Sequence, residues 1–364
     1  MIESHTIYTC PSGDVTLAYR LFGRRDPDAL ATRTPVLFIH GLSYFSYDWV
    51  NFGTRLCTDR LGCAMDMRGF GDSTYSPAGD YSVTTMADDI AHLLDHLRWD
   101  KVILVAHSMG GLVCRCFLQN DTVSTPGDRA LVDKVFTYAT PHNGIEMAAL
   151  NVPAALGLWD INNFNRKVMT EYLGLPTGSE RVDSLDGKFD PQRFFCFVGT
   201  NYRDYAAAFG LSRALAGEMS DGLVQIENAA VQGAPRAFAY RSHSGPYGVV
   251  NSEEGYQNLV RFLFGDLRVD GVLEVDALPL PPSVQSAKDA GHEVRASYYF
   301  EATVAPRGAN HFTLSERRCD TFSAVMRSFD ELLRLGKAGR EAPRSPVLFS
   351  VFLDTEKVTA GTTV

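Results

Sequence analysis

The stretch VILVAHSMGGLV, residues 102–113, decides how the rest of the chain is read. Val102, Ile103 and Val105 form a β-branched run that predicts a buried strand. After Ser108, the segment MGGLVCRCFL carries helix formers with apolar positions at helical spacing. Ser108 therefore stands at a strand-to-helix turn. A turn this tight needs minimal side chains two positions to either side, here Ala106 and Gly110, while Gly111 lets the helix approach the sheet. This is the nucleophile-elbow pattern with alanine in its first slot. Five residues carry little weight alone, so the remaining chain has to supply a base, an acid and a site for a developing oxyanion.

Outward from that turn, short apolar runs alternate with helical patterns. HTIYTCPSGDVTLAYRLFG, residues 5–23, reads as a strand pair around PSGD. PVLFIHG and LGCAMDMRGFGDS each predict a strand followed by a glycine-bearing loop, and Met86, Ile90, Leu93, Leu94 and Leu97 mark one face of a helix. DKVFTYATP, RFFCFVGT and RAFAYRSH repeat the strand pattern, the last taken to end at His243. A further helix is predicted from about Ser252 to Phe264, capped by Asn251 or Ser252 and burying Tyr256, Leu259, Val260 and Leu263. The alternation predicts an α/β fold, with a mostly parallel sheet covered by helices on both faces and functional groups beyond the strands' carboxyl ends.

Two segments break the rhythm. Residues 145–190, rich in Ala, Leu and Met, read as a helical cap or lid; after Gly265 the alternation stops, and residues 267–364 read as a β-rich C-terminal appendage to a domain of residues 1–266. Composition bounds the partners. With 34 Lys and Arg against 43 Asp and Glu, the net charge of −9 argues against nucleic acid. The N-terminus shows no signal-peptide pattern and no apolar run reaches spanning length, so a cytoplasmic chain without a transmembrane segment is expected. Seven cysteines without zinc-like spacing read as mostly buried thiols, with a Cys57–Cys63 bridge disfavoured. No phosphate-cradling glycine motif is present, so neither cofactor nor metal is expected.

Serine is a weak nucleophile at neutral pH and needs a histidine to take its proton and a carboxylate to orient that histidine. His243, followed by the turn SGPYG, is the favoured base; His142 in TPHNG is its rival. His40 and His107 read as structural. Asp221 in SDGLV is the favoured acid and Asp204 in NYRDY the alternative, while Asp66 and Arg68 read as loop braces. Either acid gives the chain order Ser, Asp, His. Two backbone N–H donors must face the oxyanion, and Met109 at the helix start and Leu42 after FIHG are the expected pair.

Taken together, FIHGL (38–42), AHSMGG (106–111), ATPHNG (139–144) and SDGLV (220–224) make residues 5–265 similar to the α/β-hydrolase superfamily, in particular its bacterial-type lipases and esterases. The resemblance implies a carboxylic ester hydrolase with Ser108, Asp221 and His243 as triad, Leu42 and Met109 as oxyanion donors, and a small ester or lipid as substrate. Two features depart from the family pattern: the alanine in the elbow and the β-rich appendage. Some such lipases bind calcium near the acid and base, but no carboxylate cluster here carries that over. The same triad would also serve a thioesterase, lactonase, acyltransferase or carbon–carbon hydrolase. A non-catalytic binding protein with this fold would be expected to have lost one catalytic element, and all are present. The cap or the appendage could contact a lipid surface or a second copy of the chain.

Overall fold

The computed structural model describes residues 5–23, 33–145, 163–205, 219–250, 252–275, 277–305, 313–317, 325–329, 332 and 347–356. The hairpin β1 (Ile7–Ser12) and β2 (Val15–Phe22) turns at Gly13, whose φ of 56° lies in the left-handed region. β3 (Val36–Ile39) leads through a 3₁₀ turn at Ser46–Trp49 into α1 (Val50–Leu56) and β4 (Gly62–Met65). There follow α2 (Val83–Leu97), β5 (Val102–His107), α3 (Met109–Gln119), β6 (Val132–Tyr138), α4 (Arg166–Tyr172), β7 (Phe194–Gly199), β8 (Arg236–Ala239) and α5 (Glu253–Phe264). These strands form one eight-stranded sheet in the order β1-β2-β4-β3-β5-β6-β7-β8. β2 runs antiparallel to β1 and β4, and every other pairing is parallel.

Alternate residues of each central strand enter opposite cores, which is why the strands read as continuous apolar runs. Leu37, Ile39, Leu104 and Ala106 face Met86, Ile90 and Leu93 of α2 and Leu112, Val113 and Phe117 of α3. Val36, Phe38, Ile103 and Val105 face Trp49, Phe52 and Leu56 on one side and Leu259, Phe262 and Leu263 of α5 on the other. Ser82 caps α2 and Ser252 caps α5, each side chain accepting a first-turn N–H. The predicted face of α5 holds for Leu259 and Leu263, whereas Tyr256 and Val260 are half-buried and Phe262 is the large buried ring.

The turn and helix over residues 46–56 were not anticipated, although Trp49, Phe52 and Leu56 repeat at helical spacing. β8 is shorter than expected. It stops at Ala239 because the chain folds back in a tight loop closed by Ser242 N–H to Tyr247 O and Val249 N–H to Ser242 O, both 3.0 Å. The six described cysteines, including Cys57 and Cys63, are free and buried; Cys319 lies outside the described residues.

Residues 146–162 of the expected cap lie outside the described residues. Of the remainder, α4 packs onto α3: Met169 and Leu173 are fully buried, and the Tyr172 carbonyl accepts from Asn120 Nδ2 at 3.0 Å. Beyond α5, β9 (Leu267–Val272) pairs antiparallel with β14 (Val347–Leu353), β10 (Ser297–Phe300) with β13 (Val325–Ser328), and β11 (Ala302–Val304) with β12 (Ser315–Arg317). This part is joined to the sheet. Phe352 of β14 packs its ring on Phe262 and Phe195, and Ser315 Oγ accepts the Phe238 N–H of β8 at 3.0 Å.

The loop after β4 is tied to α2 by a buried ion pair: Arg68 Nε and Nη2 donate to the two oxygens of Asp89 at 2.7 and 2.8 Å. Both side chains are almost wholly excluded from solvent, so removing Asp89 leaves the buried Arg68 Nε and Nη2 without a partner, with only Nη1 still held, by Asp14 and the Asp80 carbonyl. Asp89→Ala is expected to lower the unfolding free energy by about 3–5 kcal/mol, read from the shift in urea midpoint.

Candidate functional site

β5 delivers Ser108 to the carboxyl edge of the sheet in a backbone conformation of φ 50° and ψ −122°. A non-glycine residue adopts this only when its surroundings enforce it. The Ser108 N–H donates to the Tyr138 carbonyl at 2.9 Å, and its own carbonyl accepts from Gly111 N–H at 3.1 Å. Glycine is required just beyond. A Cβ on Gly110 would lie 2.5 Å from the His40 carbonyl oxygen and 2.7 Å from that of Ile39, and a Cβ on Gly111 would strike Thr140. Nothing larger than glycine lets α3 start this close to the neighbouring loops.

Two loops bring the other groups to this turn. After β7, Asp221 is buried in SDGLV with its Oδ1 accepting the N–H groups of Leu223 and Val224 at 3.0 and 2.7 Å. After β8, His243 Nδ1 lies 2.9 Å from Asp221 Oδ2, and His243 Nε2 lies 2.9 Å from Ser108 Oγ. The carboxylate can only accept, so Nδ1 carries the proton and Nε2 presents its lone pair to the serine hydroxyl. The base loop is also held by main-chain bonds. His243 N–H donates to the Asp221 carbonyl, and the His243 carbonyl accepts from His107 Nε2, each at 2.9 Å.

Leu42 and Met109 flank the turn. Met109 opens α3, where first-turn N–H groups lack intrahelical acceptors, and Leu42 follows Gly41, whose added Cβ would stand 3.0 Å from Ser108 Cβ. Among the described residues, neither backbone N–H has a protein acceptor.

The rival candidates stand elsewhere. His142 is fully buried, with Nε2 hydrogen-bonded to Thr137 Oγ1 at 3.0 Å and its ring edge-on to Phe194, and burial, then Arg115 and Arg236, push it well below the usual histidine range. Asp204 accepts from Asn201 Nδ2 at 2.6 Å, and its carboxylate is not the partner of His243. Asp66 braces the loops, taking the N–H of Ser46 at 2.5 Å and of Asp72 at 2.9 Å. His40 links two more, with Nδ1–H to Gly41 O at 2.7 Å and Nε2 accepting from Met67 N–H at 2.9 Å. Among the described residues no group of three or more His, Cys, Asp or Glu gathers as a metal site, and no helix is long and apolar enough to cross a membrane.

With its strand order, the serine turn after β5 and the two loops after β7 and β8, the chain has the α/β-hydrolase fold, and the sequence profile of that fold matches residues 34–176. Among characterised proteins, the chain is 33% identical over 102 residues to a soluble epoxide hydrolase of Corynebacterium sp. (strain C12), covering 28% of this chain and 33% of that one. It is 36% identical over 101 residues to the sn-1-specific diacylglycerol lipase ABHD11 of Danio rerio, covering 27% and 30%. It is 34% identical over 70 residues to protein phosphatase methylesterase 1 of Schizosaccharomyces pombe, covering 18% and 20%. The match thus spans a third or less of each of these relatives.

Burial holds His40 down to about 4 and His107 to about 3, from an ordinary value of 6.5. The unfolded chain therefore binds protons near pH 6.5 that the folded chain refuses until pH 4 or below. Stability is present above pH 6.5 and falls as the pH drops from there towards 4. In His107→Gln, which keeps a donor for the His243 carbonyl, the slope of unfolding free energy against pH in this window is expected to drop by up to about 1.4 kcal/mol per pH unit. Urea titrations at pH 7.5, 6 and 5 read it.

Proposed function

We propose that the protein is a serine hydrolase that cleaves carboxylic esters through an acyl-Ser108 intermediate. The observation that carries this is the buried hydrogen-bond chain from Asp221 through His243 to the strained Ser108. Ser108 Oγ attacks the ester carbonyl carbon as its proton passes to His243 Nε2, and Asp221 stabilises the imidazolium that forms. The carbonyl electron pair moves onto oxygen, which accepts hydrogen bonds from the Leu42 and Met109 N–H groups. Collapse of this intermediate breaks the bond to the alcohol oxygen, which takes the proton from His243. Water then attacks the acyl-serine by the same route, releasing the acid and restoring Ser108.

Relatives named as a diacylglycerol lipase and a methylesterase support this reading. The epoxide hydrolase among the relatives raises a second chemistry, which the nucleophile argues against. An epoxide opened by Ser108 Oγ would leave the serine as an alkyl ether. An ether has no carbonyl for water to attack, so the enzyme would stop after one event, whereas an acyl-serine turns over. Thioesters and lactones present the same carbonyl and stay within the proposal, as does acyl transfer to an alcohol in place of water.

Ser108→Ala and His243→Ala are each expected to lower kcat on 4-nitrophenyl butanoate by at least about 10⁴-fold with the fold intact by circular dichroism. A fluorophosphonate probe should label the wild type at Ser108 and leave Ser108→Ala unlabelled. Turnover of styrene oxide, or undiminished ester turnover by Ser108→Ala, would overturn the reading.

A further inference from the structure

ATPHNG, residues 139–144, follows β6, and no step of ester cleavage uses its side chains. His142 is sealed in the core, but the next residue, Asn143, is fully buried and pairs all four of its polar atoms. Its Oδ1 accepts the Val182 N–H at 2.9 Å and its carbonyl accepts from Arg166 Nε at 3.0 Å, which fixes it to α4 and to the segment that follows. A backbone N–H can only donate, so Oδ1 is the amide atom that faces Val182, and Nδ2 faces the other way. There Nδ2 donates to Asn228 Oδ1 at 2.8 Å, while the Asn143 N–H donates to the Asn228 carbonyl at 3.0 Å. Asn228 is fully buried too, ends the 3₁₀ turn Ile226–Asn228, and turns its own Nδ2 to Gln225 Oε1 at 3.1 Å.

This turn anchors the loop of the acid. Ile226 N–H donates to the Met219 carbonyl at 2.9 Å and Ser220 pairs with Gln225, so residues 219–226 close on themselves around Asp221. On its other side Asp221 packs on the end of β7, where a Cβ on Gly199 would stand 2.9 Å from Asp221 Cβ. Val224 and Ile226 share an apolar cluster with Val198 and Phe238, but apolar contact has no direction. The Asn143–Asn228 pair supplies it: two donors on one residue meet two acceptors on the other, so the turn cannot shift against the end of β6 without breaking a buried hydrogen bond. We infer that Asn143 is a positioning residue for the acid: through Asn228 it sets the loop that holds the Asp221 carboxylate against His243 Nδ1. The inference rests on the acyl-serine reading. Asn143 makes no hydrogen bond to the triad and acts through Asp221.

The test is a double-mutant cycle between Asn143 and Asp221, read as kcat and KM on 4-nitrophenyl butanoate and as the rate at which a fluorophosphonate labels Ser108. Asn143→Ala alone should lower kcat and the labelling rate together by roughly 10- to 100-fold, with KM changed by less than about threefold. In the Asp221→Ala background the carboxylate to be positioned is already gone, so the same substitution should cost less than about twofold. Asn228→Ala leaves the Asn143 bonds to Val182 and Arg166 in place and should act in the same direction, with the same silence in the Asp221→Ala background; it decides the matter if Asn143→Ala fails to fold. Equal fold-losses in the two backgrounds, a loss confined to KM, or a lowered urea midpoint with kcat and labelling unchanged would each overturn the positioning role. The acyl-serine reading fails on other results, namely a wild type that the probe does not label or a Ser108→Ala variant that keeps its ester turnover.

Discussion

The contact between the start of α3 and the loops after β3 and β6 governs the rest of the site. Gly110 and Gly111 permit it; the carbonyls of Ile39 and His40 and the side chain of Thr140 occupy the space that any Cβ would need. Because the helix begins there, Ser108 is driven to φ 50° and its hydroxyl stands clear of the sheet. The conformation is unfavourable in isolation, by about 1–3 kcal/mol, and two main-chain hydrogen bonds and the buried strand on one side hold it. Positive φ recurs in the loops after β3 and β6, at Ser43 (64°) and Ala139 (49°), whereas Ser108 stands between two regular elements. Its neighbours Ala106 and Met109 lie in regular strand and helix, both fully buried.

Around that fixed point the polar groups form layers. The Asp221 carboxylate is anchored by two backbone N–H groups before it meets His243, and His243 is gripped at both its own N–H and its carbonyl. His107 is the economical part of this arrangement, since one residue both ends the strand that leads into Ser108 and closes the loop after β8. Burial keeps the ring neutral, and the His243 carbonyl, which can only accept, places its one proton on Nε2. His40 does the equivalent for the loops after β3 and β4.

Much of this was legible in the residues. The strands announce themselves because both faces are covered, so β3, β5 and β7 are buried at every position and, but for His107 at the end of β5, carry no polar side chain. Ser108, Asp221 and His243 could be singled out because each follows a strand and is set among small residues, and the structure brings the three within hydrogen-bond reach. Other features were hidden. FAYRSH has strand composition throughout, yet the strand ends at Ala239 because the return of the loop satisfies the backbone of Ser242 locally. The helix over 50–56 is only seven residues long and includes a glycine, Gly53, which must be glycine because a Cβ would meet the Phe22 ring at 2.6 Å. Local propensity does not encode that kind of tertiary demand. The contact of His107 with the loop after β8 was equally out of reach, since it depends on which loop lies opposite.

The bond from Phe238 to Ser315 has a consequence for how the chain reaches this state. β8 is the last strand of the sheet, and its free N–H is met 77 residues later in the chain. Phe352, further on again, covers rings of β7 and α5. During synthesis the parallel sheet is therefore exposed along one border for as long as those later residues are still being made. Parallel pairing is slow to form and an open border invites mispairing with other chains. Completion of this border of the sheet is thus a late event, coupled to closure of a long loop whose entropy cost grows only with the logarithm of its length.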